Sequence, residues 1–391
     1  MISTSDPLPS SAQNEIFFRN YWDILGGVLF ALLAFWLNAH HQIYFATFFA
    51  ATSIAFLSVT VAEIAEILAQ RLEEPYGSFV LTFSAVAVEI ILLFTILMQA
   101  THASTQALDT VKGGIISAVI VDMNVLLGLA VFIGGLAFKE QEHNGDTSST
   151  YTTILLVASA ALLVPSILSH TAGSIELERA CIIISVVLFL FYIIIYIFQT
   201  KTHSHFFKAT ARSRIFRIKR RIKDKETQEE IEVEDDYIFD KLSTPLNFVA
   251  IFGVIAVIGF TAEVFAHNGL VVFQEHGISA GLAGLIIAII SVAPEIFTAI
   301  KAAQNDQMQR VVNIAMGASV VSIMLAVPML MLLSHLNGIP LTLDFNTLQV
   351  GALILTIVLA WKTTDDGQTN YFEGISHLMF FLSYAVIASF Y

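Results

Sequence analysis

Charged residues and cysteine are scarce in this chain of 391 residues. Asp, Glu, Lys and Arg make up 13% of it, whereas soluble globular domains carry about 25%. Hydrophobic residues account for 56%, phenylalanine alone for 31 positions, and the mean hydropathy is +0.75. This composition excludes an ordinary soluble protein. It supplies apolar sequence for many membrane-spanning helices, each of which takes about 20 residues.

The single cysteine excludes an intrachain disulfide and a thiolate metal site. Cys181 lies in an apolar run and is interpreted as a small packing residue. The first 20 residues are polar, contain only Arg19 as a cation, and lack the short apolar stretch of a cleaved signal peptide. We therefore expect the first apolar span to be retained.

Motifs of common enzyme classes are missing as well. The sequence has no H-E-x-x-H zinc motif, no G-x-S-x-G nucleophile elbow, no P-loop and no G-x-G-D of intramembrane aspartyl proteases. Without a nucleophile or a phosphate-binding loop, the sequence favours a protein that is not an enzyme and needs no cofactor.

Long apolar stretches are what the sequence does have. They do not alternate in polarity as barrel strands would, so they predict an all-α polytopic membrane protein of about eleven helices. The predicted spans lie near residues 21–39, 44–70, 77–100, 111–138, 151–170, 180–199, 246–266, 279–300, 310–333, 346–361 and 374–391.

The distribution of Lys and Arg predicts the orientation, because cytoplasmic loops retain these residues. With the N-terminus inside and eleven crossings, 17 of the 19 cations fall on the inside, and only Lys112 and Arg179 fall outside. This pattern predicts a multi-pass membrane protein with a cytoplasmic N-terminus.

One long polar segment, residues 200–245, interrupts the apolar spans. It carries ten cations in 201–225 and nine acids in 224–240, and the predicted orientation makes it a cytoplasmic linker. Two interpretations of the linker stay open. It is either a solvated charged helix beside anionic lipid headgroups or a segment that senses cations or pH.

The linker divides the remaining spans into two sets of five. The predicted organisation is a tail with the first helix in 1–43, a first repeat in 44–199 and a second repeat in 246–391. Because five is odd, the second set enters the membrane with opposite polarity. Two inverted five-helix repeats are a common plan of secondary transporters, with the substrate site where the repeats meet.

Two glutamates lie inside apolar spans at matched places in the two repeats, Glu89 in 77–100 and Glu295 in 279–300. An ionised side chain at this depth is costly, so such residues usually face a bundle interior or a water-filled cavity. We predict that both bind the cation and protons at a central site. The alternative for each is a protonated, hydrogen-bonded core residue.

Other oxygen-bearing residues are predicted to support this site. The supporting oxygens are Ser84, Asp122, Asn124, Ser291, Ser319 and Ser322. Glu66 and Glu263 lie nearer the ends of their spans and are predicted to be gating or secondary acids, with interfacial acids as the alternative. Pro294 is predicted to kink its helix and to free the carbonyl of Ile290 as one more oxygen ligand.

These side chains offer oxygen only, which suits hard cations such as Ca²⁺, Na⁺ or K⁺ rather than Zn²⁺ or Cu²⁺. When the cation leaves, buried carboxylates must take up protons or remain costly charges, so the site predicts cation/proton exchange. A cation channel lined by acids stays open as the alternative of another class. The histidines in or near loops, expected to be solvated, are His40, His41, His102, His143, His276 and His335.

The stretch from Ala65 to Gly77 and the segment ending in Glu89 resemble the cation/proton exchanger (CAX) family of the calcium/cation antiporter superfamily, and within it the bacterial ChaA-type antiporters. The resemblance covers nearly the whole chain. It implies that Glu89 and Glu295 carry cation and protons in an alternating-access exchange of Ca²⁺ for H⁺, with Na⁺ (K⁺)/H⁺ antiport as the alternative. The implied partners are inorganic cations, protons and the lipid bilayer, without nucleic acid; a homo-oligomer is compatible with it.

The sequence departs from the family pattern at several positions. The family's two signature repeats usually read Gly-Asn-Ala-x-Glu, and Val86 and Val292 stand here in place of the Asn. Asp122 stands at the family's Asn in the following helix, or Asn124 with a shift of two residues. The two valines remove side-chain oxygens, which leaves room for Na⁺ or K⁺.

Overall fold

The computed structural model describes residues 10–72, 76–100, 106–171, 173–208 and 237–390. Most of them belong to long helices. The long helices are α1 (Ser10–Ala39), α2 (Ile43–Arg71), α3 (Tyr76–Leu97), α4 (Gln106–Phe138), α5 (Gly145–Leu168), α6 (Ser174–Ile197), α7 (Thr244–Glu275), α8 (Ala280–Gln304), α9 (Met308–Leu336), α10 (Thr347–Thr364) and α11 (Tyr371–Ala388).

The predicted all-α polytopic architecture is confirmed. Ten of these helices are long and apolar enough to cross a membrane, and α3 adds the apolar stretch Val86–Leu97. Several helices run past the predicted spans; α7, for example, extends to Glu275 instead of 266. Hydropathy detects only the apolar part of a helix, whereas the backbone hydrogen bonds continue into the polar ends.

Contacts of the linker's flanks define one side of the bundle, which we call the linker side. The guanidinium of Arg71, at the end of α2, donates to the carbonyl of Leu242 at 2.5 Å. The amide of Asn144, between α4 and α5, donates to the carbonyl of Phe206 at 2.9 Å. The ends of α2, α4 and α6 and the start of α7 therefore share this side, as an alternating series of crossings requires.

Most of the predicted linker, residues 209–236, lies outside the described residues. Its main cluster of cations and all but one of its acids fall there. Before it, the chain forms a π-turn at Phe198–Thr202 and a 3-10 turn at Ser204–Phe207. After it, one helical turn, Ile238–Lys241, precedes α7.

A two-stranded antiparallel sheet also lies on the linker side. Strand β1 (Glu140–Glu142) follows α4, strand β2 (Gln368–Asn370) precedes α11, and Gln141 pairs with Thr369. The amide of Gln141 donates to the carbonyl of Ala303, near the end of α8, at 3.0 Å. The sheet therefore fastens connections of the first half (α2–α6) to connections of the second half (α7–α11).

On the opposite side, α4 and α8 cross with their backbones in contact. A Cβ atom added to Gly284 would lie 2.4 Å from the backbone nitrogen of Gly114, so only glycine fits there. Beside the crossing, the ammonium of Lys112 lies 2.8 Å from the carboxylate of Asp344. Burial opposes the ionisation of Asp344, but hydrogen bonds from Lys112 and Thr342 outweigh it and lower its pKa.

Substituting the crossing glycine tests how tightly the two helices pack. We expect Gly284→Ala to lower the midpoint of thermal unfolding in detergent, because the added methyl group must displace backbone at a cost of about 1–3 kcal/mol. The matched control is Gly259→Ala on α7, where no atom lies within 4 Å of the added Cβ, so its midpoint should be unchanged or higher. Equal midpoints for the two variants would contradict this close crossing.

Candidate cation site

A cavity of about 460 Å³ lies between the two halves of the bundle. Glu89 on α3 and Asp122 on α4 line it from the first half, and Glu295 on α8 and Ser322 on α9 line it from the second. Side chains of α2, α5 and α6 complete the wall. Carboxylates from both halves therefore share one cavity within the apolar bundle.

Two π-turns bring Asp122 and Ser322 to the cavity. Helix α4 contains a π-turn at Asp122–Leu126, and α9 contains one at Ser322–Ala326. A π-turn widens the helix by one residue and is frequent at functional sites. In each helix the first residue of the π-turn lines the cavity, so the two halves are built alike at this point.

Hydrogen bonds between the halves hold two of the carboxylates. The hydroxyl of Ser322 donates to Oε2 of Glu89 at 2.7 Å. The hydroxyl of Ser319 donates to Oδ2 of Asp122 at 3.0 Å. Ser319 does not itself belong to the described lining, so it acts on the cavity through the carboxylate it orients.

Two buried carboxylate oxygens of the cavity lining have no hydrogen-bond partner among the described residues, Oδ1 of Asp122 and Oε2 of Glu295. A buried polar atom without a partner costs free energy, and binding of an ion or a water molecule is an accepted explanation for such an atom. The cationic residue in the described lining is Arg310, which is paired with Glu66 at 2.5 Å. The chemistry of these oxygens therefore fits a bound proton or hard cation.

Four further predicted site residues line the same cavity: Ser84, Ser291, Glu66 and Pro294. The hydroxyl of Ser291 donates to the carbonyl of Ala288 at 3.0 Å, which leaves its oxygen lone pairs available. Pro294 lies within α8, which is helical on both sides of it.

Asn124 is not part of the cavity, contrary to its predicted role as a cation-site oxygen. Its amide nitrogen donates to Thr356 on α10 at 3.0 Å, and its amide oxygen lies 3.0 Å from Nδ1 of His377 on α11. Two residues along a helix turn a side chain by about 200°. Since Asp122 faces the cavity, Asn124 must face the peripheral helices instead.

Glu263 is also separate from the other acids. It is exposed and lines a different groove, between α1 and α7, together with Asn38 and His267. The opposite face of α7 carries the buried side chains Ala262 and Phe265, so the packing of the bundle turns Glu263 outward. The structure therefore gives it no contact with the central cavity.

Two buried ionisable residues were not found from the sequence. His377 on α11 is fully buried, with Nε2 3.0 Å from the hydroxyl of Thr363 and Nδ1 on Asn124. Asp23 on α1 accepts a hydrogen bond from Thr60 at 2.5 Å. Neither lines the cavity. Both are polar residues inside apolar spans, which is the signal in the sequence, but neither has a counterpart at a matched position of the two repeats.

His143, predicted to be solvated, is buried instead. Its Nε2 lies 2.8 Å from the hydroxyl of Ser148 and 3.2 Å from the carbonyl of Thr364. Burial lowers the pKa of His143 to about 4, so the side chain is neutral at physiological pH. The residue packs where β1 and β2 join the helices, a contact between distant segments that a loop position in the sequence does not reveal.

Aromatic residues line the linker-side part of the cavity: Tyr151, Tyr192, Tyr196 and Phe207. The rings of Tyr151 and Phe207 meet edge to face with centroids 5.1 Å apart. The backbone of Phe207 is held by the amide of Asn313 on α9, at 2.9 Å. The turn after α6 thus packs between α5 and α9 at the mouth of the cavity.

The cavity reaches the surface on the linker side. Glu66 and Arg310 both line it, and their side chains are 40% and 43% exposed. The lining contains neither Lys112 nor Asp344, whose ion pair lies on the opposite side. Access in this conformation is therefore from the linker side.

Helices in two halves, with carboxylates from both halves around one cavity, define a secondary transporter of the inverted-repeat class. The family to which the sequence belongs agrees with this class of protein. The chain belongs to the sodium/calcium exchanger protein family, whose profile matches residues 40–201 and 246–390. The matched ranges leave out α1 and the linker, and they confirm the resemblance noted in the sequence.

Individual relatives are distant but cover most of the chain. The Ca²⁺/H⁺ antiporter of Aphanothece halophytica is 25% identical over 93% of each chain. The sodium-potassium/proton antiporter ChaA of Escherichia coli (strain K12) is 26% identical over 83% of each chain. The solved structure of native YfkE has a TM-score of 0.76, covering 94% of this chain and 100% of that chain at 20% identity. The chain therefore shares its overall fold with native YfkE.

Cysteine labelling tests whether the cavity is open to water. The chain's one cysteine, Cys181, is buried, so we expect the wild-type protein in mild detergent to resist a water-soluble maleimide. Thr298→Cys, in the lining of the cavity, should be labelled. Thr356→Cys is the matched control, because Thr356 is fully buried against Asn124. Equal labelling of the two variants would contradict an open cavity.

Proposed function

We propose that this protein is a secondary active antiporter that exchanges Ca²⁺ for H⁺ by alternating access, with Glu89 and Glu295 as the residues that carry cation and protons. One observation supports this most. Carboxylates of both halves line one cavity, and two of their buried oxygens have no partner among the described residues. The printed function of the relative from Aphanothece halophytica, a Ca²⁺/H⁺ antiporter, agrees with the proposal.

The oxygens of the cavity suit a divalent cation. Ca²⁺ takes six to eight oxygen ligands in a flexible arrangement. Glu89, Asp122 and Glu295 would offer carboxylates, and Ser322 and Ser291 hydroxyls. The carbonyl of Ile290 lacks its usual N–H donor because residue 294 is proline. Water would complete the shell, and the carboxylates would neutralise the charge of the ion.

Protons compete with the cation for the same carboxylates. When Ca²⁺ leaves, ionised acids remain in a low-dielectric site, and protonation removes that cost. The cation-loaded and the protonated forms can therefore both reorient, whereas the empty ionised form resists it. The hydrogen bonds from Ser322 to Glu89 and from Ser319 to Asp122 join the halves, so ligand exchange at these acids acts directly on the contact between the halves.

The linker side is assigned to the cytoplasm, because 17 of the 19 Lys and Arg residues lie on it by the crossing order of the helices. The conformation described here then faces inward, in a cell (inner) membrane with a cytoplasmic N-terminus. The outward-facing state would require Lys112 to separate from Asp344 while α4 and α8 rotate about their crossing.

Na⁺ (K⁺)/H⁺ antiport is the second candidate. Val86 and Val292 both line the cavity and contribute no oxygen ligand, which weakens a site for a divalent ion relative to one with amide oxygens. The relative from Escherichia coli is named a sodium-potassium/proton antiporter.

Removing one carboxylate charge at a time tests the site. We expect Glu89→Gln and Glu295→Gln each to abolish exchange in everted vesicles, because an amide neither carries the exchanged proton nor offers a negative charge to the cation. Membrane insertion and detergent-solubilised yield should stay at the wild-type level. Glu178→Gln is the control, since Glu178 is exposed at the start of α6 and outside the cavity. Wild-type exchange by both site variants would refute these carriers.

A panel of chloride salts identifies the cation. In vesicles that are acidified inside, CaCl₂ should dissipate the pH gradient, as followed by a fluorescent amine, in a protein-dependent way. A response to NaCl or KCl without one to CaCl₂ would select the second candidate. A cation current without proton movement would instead establish a channel.

A further inference from the structure

We propose that the linker-side part of the cavity is a binding site for organic ammonium ions that carry an apolar group. Binding of such an ion does not depend on the proposed exchange. Only the inhibition of exchange by the ion rests on that proposal. The site consists of an aromatic outer wall, defined as Tyr151, Tyr192, Tyr196 and Phe207, and of the carboxylates deeper in the same cavity.

The aromatic outer wall combines three separate segments. Tyr192 and Tyr196 lie one turn apart on α6, with ring centroids 6.4 Å apart. Tyr151 comes from α5, and Phe207 from the turn that the amide of Asn313 holds in place. Ring faces attract cations within about 6 Å, and organic ammonium groups are recognised by such clusters of aromatic rings.

A hard metal ion makes little use of these rings. Ca²⁺ and Na⁺ bind oxygen, and the faces of the rings offer them none. An ammonium group with alkyl or aryl substituents is weakly hydrated and gains both from ring faces and from apolar contact. The cavity volume of about 460 Å³ also lies in the range of about 300–1,000 Å³ that is typical of small-molecule sites.

The charges of the cavity favour a cationic ligand over a neutral or anionic one. Glu89, Asp122 and Glu295 lie at its deep end, and two of their oxygens are buried without a partner among the described residues. At the mouth, the positive charge of Arg310 is paired with Glu66. The ammonium head would therefore point towards the deep acids, with its apolar group against the aromatic outer wall.

A ligand held in this way would occupy the path of the transported cation. Because the cavity reaches the surface on the linker side, inhibition by a membrane-impermeant ammonium ion is expected from that side only. In everted vesicles, whose cytoplasmic face is outward, an added quaternary ammonium ion should slow exchange in competition with the cation.

Benzyltrimethylammonium chloride is the probe, titrated by calorimetry into the purified full-length protein in detergent. We expect saturable binding, and no saturable binding of the neutral benzyl alcohol. Tyr192→Leu should raise Kd about five- to thirty-fold, the effect of losing one cation–π contact. Tyr192→Phe keeps the ring and should stay within about twofold of the wild type.

The matched control is Tyr371→Leu, since Tyr371 is an exposed tyrosine on α11 away from the cavity; its Kd should equal that of the wild type. Tyr196→Leu replaces Tyr192→Leu if thermal unfolding shows that the latter does not fold. Equal Kd values for the wild type and the leucine variant, or saturable binding of benzyl alcohol, would overturn the proposal. The calorimetry needs no ion gradient, so a protein that binds the probe without exchanging Ca²⁺ would refute only the proposed transport.

Discussion

The structure depends on one constraint: carboxylates are buried in an apolar bundle, and the protein satisfies them only in part. Ser322 donates a hydrogen bond to Glu89, and Ser319 donates one to Asp122. In contrast, Oδ1 of Asp122 and Oε2 of Glu295 have no partner among the described residues. If protein groups donated hydrogen bonds to all of these oxygens, the fold would be more stable, but no oxygen would be left to bind a ligand. The two halves and the π-turns bring these carboxylates to one cavity, which opens on the linker side.

The two halves are joined at several places along the bundle. The sheet of β1 and β2 and the contact of Gln141 with α8 fasten them on the linker side. On the opposite side, α4 and α8 touch through the backbones of Gly114 and Gly284. At the cavity, the hydrogen bonds from Ser322 to Glu89 and from Ser319 to Asp122 join the halves. Exchange of a ligand at these acids would therefore act on contacts between the halves.

Much of the fold could be predicted from composition and hydropathy, because the cost of burying backbone polar groups in lipid leaves few choices. Matched positions in the two repeats led to Glu89 and Glu295, and the structure places both in one cavity. The prediction for Asn124 was wrong because hydropathy indicates how deep a residue lies in the membrane but not which way its side chain points. The direction of this side chain depends on the π-turn that begins at Asp122. The sequence does not indicate that His377 is buried, because its burial depends on contacts with α4 and α10, which are separate segments of the chain.

The glycine crossing of α4 and α8 lies near one surface and would be the pivot if the two helices rotated against each other. Helix α8 has 25 residues, and Gly284 lies in its second turn, so at 1.5 Å per residue about 30 Å of helix extends from the pivot towards the linker side. A rotation of about 10° there would swing the far end by about 5 Å, whereas the atoms at the crossing would hardly move. A small change of the angle between α4 and α8 would therefore move the linker-side end of α8 by a distance comparable to the size of an ion.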